Sequence, residues 1–88
     1  MFRVRWKRTA LNELAAGWLK ADAALRGAIT SAASQVDAEL RADPEGKGES
    51  REGDERILFV FPLGIRFRVE ADRGVVYVLN VWIYRRRG

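Results

Sequence analysis

Arginines alternate with aromatic and polar residues along the last third of this 88-residue chain. Arg66 and Arg68 flank Phe67, while Asn80, Trp82, Tyr84 and Arg86 occupy every second position near the terminal run Arg85-Arg86-Arg87. Guanidinium forks match the paired oxygens of a phosphate, and an aromatic ring offers a face on which an unpaired base can stack. An acidic or amphipathic protein segment would find the same groups attractive. The chain has no histidine and no cysteine. Disulfides and thiolate metal sites are therefore excluded, and a zinc or iron site would need carboxylates alone. The commonest acid–base group at neutral pH is also missing. Any catalysis must rest on Arg, Lys, Tyr, Ser or carboxylates, and no cofactor or metal is expected.

The charge is unevenly spread. Met1 to Thr9 carries Arg3, Arg5, Lys7 and Arg8 with no acid, and residues 57–88 hold six arginines against Glu70 and Asp72. Between them, residues 10–56 hold six bases and ten acids, within a net charge of +4 for the whole chain. If the two terminal segments share a sheet, that sheet is a cationic surface on a mildly acidic body. Such a surface attracts a polyanion or an acidic partner before any detailed contact forms.

At this length the chain is expected to be one domain spanning 1–88, with a single core of one helical layer on one sheet. No apolar run approaches the roughly 20 residues of a membrane span, and the amino terminus alternates apolar and basic residues instead of forming a signal peptide. A cytoplasmic protein with no membrane partner is the expectation.

The elements that must carry the arginines follow from periodicity. Phe2, Val4 and Trp6 alternate with Arg3, Arg5 and Lys7, a strand with one buried face. Thr9 is a candidate N-cap for a helix whose stripe is Leu11, Leu14, Ala15, Trp18 and Leu19. The register breaks at Lys20-Ala21-Asp22, where Asp22 can cap a second helix. Leu25, Ile29, Ala32, Ala33, Val36 and Leu40 carry that helix to about Ala42, and Asp43-Pro44 stops it. Two helices so joined read as an antiparallel hairpin. Pro44 to Glu55 is polar and glycine-rich, an exposed loop in which Lys47 and Arg51 are contact candidates. Three strands follow: Ile57 to Phe61, Ile65 to Glu70, and Val75 to Tyr84, with turns at Pro62-Leu63-Gly64 and Ala71-Asp72-Arg73-Gly74. The odd positions of the last strand are expected to be buried. The fold class is thus α+β, ordered β-α-α-β-β-β, with the helices on one face of a sheet that ends in a three-stranded antiparallel meander.

Because alternate strand residues share a face, Arg3, Arg5, Lys7, Arg66, Arg68, Asn80, Trp82, Tyr84 and Arg86 should line the side the helices leave bare. Not all of these need a binding role. Arg3, Arg5 and Lys7 can serve simply to keep an edge strand from pairing with another chain. Trp82 can be a packing residue, and Arg85 to Arg87 a solvated tail. Trp6 and Trp18 are assigned to the core. Arg66 and Arg68 lie mid-sheet, where edge protection explains least, and are the foremost binding candidates.

Phe2-x-Val4-x-Trp6 followed by Ala10-x-x-Glu13-Leu14 resembles the opening of RelE/ParE-type toxins of bacterial type II toxin–antitoxin systems. Gly64-Ile65-Arg66-Phe67-Arg68-Val69 and Val81-Trp82-Ile83-Tyr84-Arg85-Arg86 are similar to that family's later strands, so the likeness covers nearly the whole chain. It implies a toxin with a cognate antitoxin that wraps it and covers its active face. RelE-like members cleave messenger RNA on the ribosome with a basic and aromatic cluster instead of a histidine, which would make the chain a metal-independent endoribonuclease. Carried over by position, that cluster draws on Arg56, Arg66 or Arg68, Tyr84 and Arg86. Tyr84 or an arginine would help activate the 2′-hydroxyl, and the other arginines would stabilise the charge of the pentacoordinate phosphate. Arg66, Tyr84 and Arg86 are then the catalytic candidates, with Arg56, Arg68, Trp82, Arg85, Arg87, Lys47 and Arg51 binding the nucleic acid. ParE-like members poison DNA gyrase without that cluster. The chain departs from the RelE pattern twice. Aligning Phe67-Arg68-Val69 with the family's tyrosine-arginine-valine puts Gly64 at the catalytic position, whereas a slide of two residues puts Arg66 there. No late tyrosine follows Tyr84. A non-toxic RNA- or peptide-binding module remains an alternative, and the exposed first strand leaves a homodimer open.

Overall fold

The computed structural model describes residues 1–51 and 53–85. Its elements run β1 (Arg3–Trp6), α1 (Arg8–Lys20), α2 (Ala23–Ala42), β2 (Glu49–Ser50), β3 (Glu55–Val60), β4 (Leu63–Glu70) and β5 (Val75–Ile83), with a 3-10 turn at Pro44–Gly46. The expected order holds, with one addition. Glu49-Ser50, inside the polar loop, pairs antiparallel with β3 and becomes an outer strand. The sheet order is β1-β5-β4-β3-β2, and only β1 with β5 is parallel. Both terminal segments therefore do share one sheet.

The helix boundaries follow the chemistry of their ends. The Asp22 side chain accepts from the Leu25 N–H at 2.8 Å and caps α2. At the other end Asp43-Pro44 closes α2, and the Asp43 carboxylate turns to accept from Gly46 N–H at 3.1 Å. The cap expected at Thr9 is not used. α1 starts two residues earlier than that cap implies, at Arg8, with Lys7 as N-cap and no side-chain hydrogen bond there. The carbonyls of its last turn are satisfied from α2: Arg26 donates Nε to Trp18 O at 2.9 Å and Nη2 to Leu19 O at 3.1 Å. Arg26 also lies over the Trp18 ring, 4.2 Å from its centroid. Trp18 is consequently a rim residue, 38% exposed, and not the core residue its spacing suggested.

The core is one layer deep. Ile29, Ala32, Val36 and Leu40, at helical spacing along α2, are buried against Leu63, Ile65, Phe67 and Val69 of β4 and Val76, Val78 and Val81 of β5. Trp6 anchors β1 to the same helix by donating Nε1 to Asp37 Oδ2 at 3.0 Å. α1 packs along β5 where β1 has ended, so its outer stripe stays open: Leu11 and Leu19 are 48% and 67% exposed.

β5 departs from simple alternation. Arg66 lies opposite Asn80 but Phe67 lies opposite Val78, so Leu79 is a bulge residue without a partner on β4. Below the bulge the even positions Val76 and Val78 are buried, and above it the odd position Val81 is buried. Tyr77 and Leu79, expected in the core as odd positions, are only half buried. The bulge allows Phe67 and Val69 to meet Val78 and Val76 while Ile65 meets Val81. An unbroken alternation could satisfy only one of those sets.

Candidate functional site

The face of the sheet turned away from α2 has three zones along β5. Directly opposed residues share a face, so the pairings Arg5–Tyr77–Arg68, Asn80–Arg66–Ile57 and Trp82–Gly64–Phe59 place these side chains on the bare side. The sequence-based assignment of Arg66, Arg68, Asn80 and Trp82 to that face agrees with this register, and Tyr84, just past the strand, joins it through its ring contact with Phe59.

The middle zone is a hydrogen-bonded relay. Arg66 donates Nε and Nη2 to Asn80 Oδ1, at 2.9 and 2.5 Å, and Nη1 to Glu55 Oε1 at 2.6 Å. Asn80 passes its amide Nδ2 to the Glu13 carboxylate at 3.2 and 3.4 Å. The Glu13 carboxylate also accepts from the Val81 backbone N–H at 3.0 Å. That second contact has a plain cause. β1 ends at Trp6, opposite Val78, so the following stretch of β5 loses its ladder partner, and α1 supplies Glu13 in its place. One carboxylate thus satisfies an orphaned strand donor and orients the amide that holds Arg66.

The upper zone is aromatic. Gly64 leaves room for the indole of Trp82, which occupies the space a Cβ would need. The Phe59 ring meets Trp82 and Tyr84 edge to face, with centroids 6.0 and 5.3 Å apart, and Phe61 meets Tyr84 at 5.6 Å. Phe59 and Trp82 remain 54% and 37% exposed, an apolar patch of the kind that marks an interaction site. Tyr84 stands four residues beyond Asn80, about 13 Å along the strand from the Arg66 pairing. Arg66 leans toward Glu55, on the side away from it. Tyr84 and Arg66 share a face but are not brought together. Arg86 and Arg87 lie outside the described residues, and Arg85 is exposed just past the strand.

The lower zone is cationic. Arg68 stacks on the Tyr77 ring at 5.4 Å, and its Nε lies 3.4 Å from Glu70 without hydrogen-bond alignment. Lys7 lies over the same ring at 4.8 Å.

Arg56 does not join this face. It sits opposite the buried Phe67, on the helix side of β3, and its guanidinium donates to Lys47 O at 2.7 Å, Ser50 Oγ at 2.9 Å and Gly48 O at 3.1 Å. It ties down the polar loop. Lys47 lies 3.8 Å from Glu39 and Arg51 lies 3.5 Å from Glu49, so both loop cations are engaged locally. Glu13, Glu55, Phe59 and Phe61 belong to the site although residue type and spacing do not single them out. Phe59 alternates with Phe61 in an apolar strand, and that alternation is the one signal that could find it. Glu55 reads in sequence as the end of the loop, and its role depends on a pairing that only the register reveals.

No family model matches the chain, and no curated protein matches its sequence. Solved structures do match. The chromosomal ParDE toxin–antitoxin system from P. aeruginosa superposes with a TM-score of 0.75 at 22% identity, covering 97% of this chain and 98% of that one. The fold is that of the RelE/ParE toxins. RelBE2 from Mycobacterium tuberculosis gives a TM-score of 0.69 at 20% identity over 96% of this chain and 98% of its own. The isolated E. coli RelE toxin gives 0.67 at 18% identity over 99% and 88%. Within this RelE/ParE fold the chain's own zones, aromatic, relay and cationic, define its bare face.

Proposed function

We propose that the chain is the toxin of a type II toxin–antitoxin pair and that it stops growth by gripping a protein target with the bare face, without cutting RNA. The observation that carries this reading is the internal engagement of Arg66. Three of its five N–H groups go to Asn80 and Glu55 at 2.5–2.9 Å and its charge is paired with the Glu55 carboxylate, so the guanidinium is oriented by the protein's own groups. A phosphate in a transition state needs donors aimed at it in advance. The exposed aromatic patch beside it suits a protein surface, where Trp and Tyr anchors carry most of the binding energy. DNA gyrase is the target that the ParE resemblance suggests.

The partner is an antitoxin, as in the ParDE and RelBE structures of the same fold. A groove of about 860 Å³ between α1 and α2, walled by Leu11, Leu14, Trp18, Ile29 and Ala33, suits the apolar side of an amphipathic antitoxin helix. The setting is the cytoplasm, where such targets are found; among the described residues no helix is long and apolar enough to cross a membrane.

One observation favours a second reading, cleavage of messenger RNA. Glu55 and Arg66 form a carboxylate–guanidinium pair at 2.6 Å on the bare face, and a carboxylate can take a 2′-hydroxyl proton while a guanidinium steadies the phosphate. Induction of the chain in cells, with a gyrase supercoiling assay on the purified protein, separates the two. The first reading expects growth arrest with loss of supercoiling activity, and the second expects arrest with supercoiling intact.

A further inference from the structure

Four cations crowd the corner where β1 runs into α1, and no carboxylate answers them. Arg3, Arg5, Lys7 and Arg8 are all exposed, and none forms an ion pair among the described residues. Over much of the remaining surface charges are matched: Arg41, Lys47, Arg51, Arg66, Arg68 and Arg73 each have a carboxylate partner. The four residues, with Arg73 and Tyr77, surround a hollow of about 520 Å³ whose wall, among the described residues, contains no acid.

The helix adds to the field. α1 begins here with Lys7 as N-cap, no capping side chain and no acid in its first turn. Its macrodipole places partial positive charge at the same corner, and its first N–H groups have no partner within the helix. Cations at a helix start repel that dipole, so Lys7 and Arg8 are a local cost that an incoming anion would relieve. Protection of a free strand edge explains Arg3 and Arg5 only. Lys7, expected to share that role, caps α1 just past the strand, and Arg8 and Arg73 also lie off β1.

We propose that this corner is a second binding site, for the sugar–phosphate backbone of a nucleic acid strand. The Cα atoms of Arg3 and Arg5, two residues apart on an extended strand, are about 6.6 Å apart, so their side chains leave the backbone at close to the spacing of successive phosphates. Arginine forks engage such oxygens bidentately. Two cations already approach the Tyr77 ring, Lys7 at 4.8 Å and Arg68 at 5.4 Å, which leaves little aromatic surface for stacking a base. The site reads charge and spacing, so its binding is indifferent to base order. It does not depend on the target assigned to the aromatic zone and lies at the other end of the face.

The test is fluorescence anisotropy of the full chain with short labelled single-stranded oligonucleotides of different sequence, across a salt series. Similar affinities for all sequences are expected, falling steeply with salt. Arg5→Glu should weaken binding at least tenfold and lower the salt slope by about 0.7 for each phosphate no longer neutralised. Lys20→Glu, the same charge change at the far end of α1, should alter affinity less than threefold. If Arg5→Glu disturbs the edge strand, Arg73→Glu in the β4–β5 turn tests the same hollow and should also weaken binding. Equal loss in the Lys20 and Arg73 variants, strong sequence preference, or equally tight binding of polyglutamate would overturn the proposal.

Discussion

The Glu13 carboxylate on α1 and the Asn80 amide on β5 meet at 3.2 and 3.4 Å across 67 residues of chain. Because Asn80 in turn holds Arg66, a helix at the sheet's edge governs the orientation of a guanidinium in the middle of its bare face. The same carboxylate takes the Val81 N–H that β1 leaves behind. Fold and site are joined at this one residue.

Replacing Glu13 should therefore be felt in both. Glu13→Ala leaves a strand N–H and the Asn80 amide without their acceptor, and the loss should be about 1–3 kcal/mol in chemical denaturation. Glu13→Gln keeps one acceptor oxygen and should cost less than half as much. Equal losses for the two variants would mean that Glu13 acts through its bulk alone.

Gly64 and Trp82 make a second coupled pair, since the indole fills the place of a Cβ at position 64. Gly64→Ala should destabilise by about 1–3 kcal/mol and shift the tryptophan emission as the ring is pushed off the sheet. In a Trp82→Ala background the same change should be nearly neutral. A double-mutant cycle with no coupling between the two would contradict this packing.

The aromatic zone should be separable from stability. Trp82 and Phe59 are substantially exposed, so Trp82→Ala or Phe59→Ala should cost less than about 1.5 kcal/mol of folding free energy. Truncation of an interface anchor costs on the order of 2 kcal/mol or more of binding. Titrated induction should show each variant needing at least tenfold more protein to arrest growth. Full toxicity in the double variant would move the acting surface elsewhere.

Much of this architecture is legible from residue type and spacing. Phe2, Val4 and Trp6 against Arg3, Arg5 and Lys7 define β1, Asp22 and Pro44 bracket α2, and the arginines 66 and 68 fall on the face assigned to them. β5 is harder, because a run with apolar residues at both odd and even positions has no alternation to read. Its face is settled by which strands it meets, and the bulge at Leu79 changes the face partway along. β2 carries no apolar residue and exists through its pairing with β3. Leu11, Trp18 and Leu19 form a proper helical stripe, yet α1 lies at the edge of the sheet, and the stripe is left partly uncovered. The site shows the same division. Its arginines and aromatics could be grouped by alternation, but Arg56 falls on the other face and Tyr84 stands apart from Arg66. The groups that engage Arg66 are set by Glu13 on α1 and Glu55 at the start of β3, and no local pattern announces them.

Primer extension on cellular transcripts after induction of the chain tests the central claim most directly. A protein-gripping toxin whose Arg66 is held by Glu55 and Asn80 predicts arrested growth with intact transcript ends, in the wild type and in Arg66→Ala alike. New cleavage ends that appear on induction and vanish in Arg66→Ala would contradict it, and would make the Glu55–Arg66 pair a catalytic one.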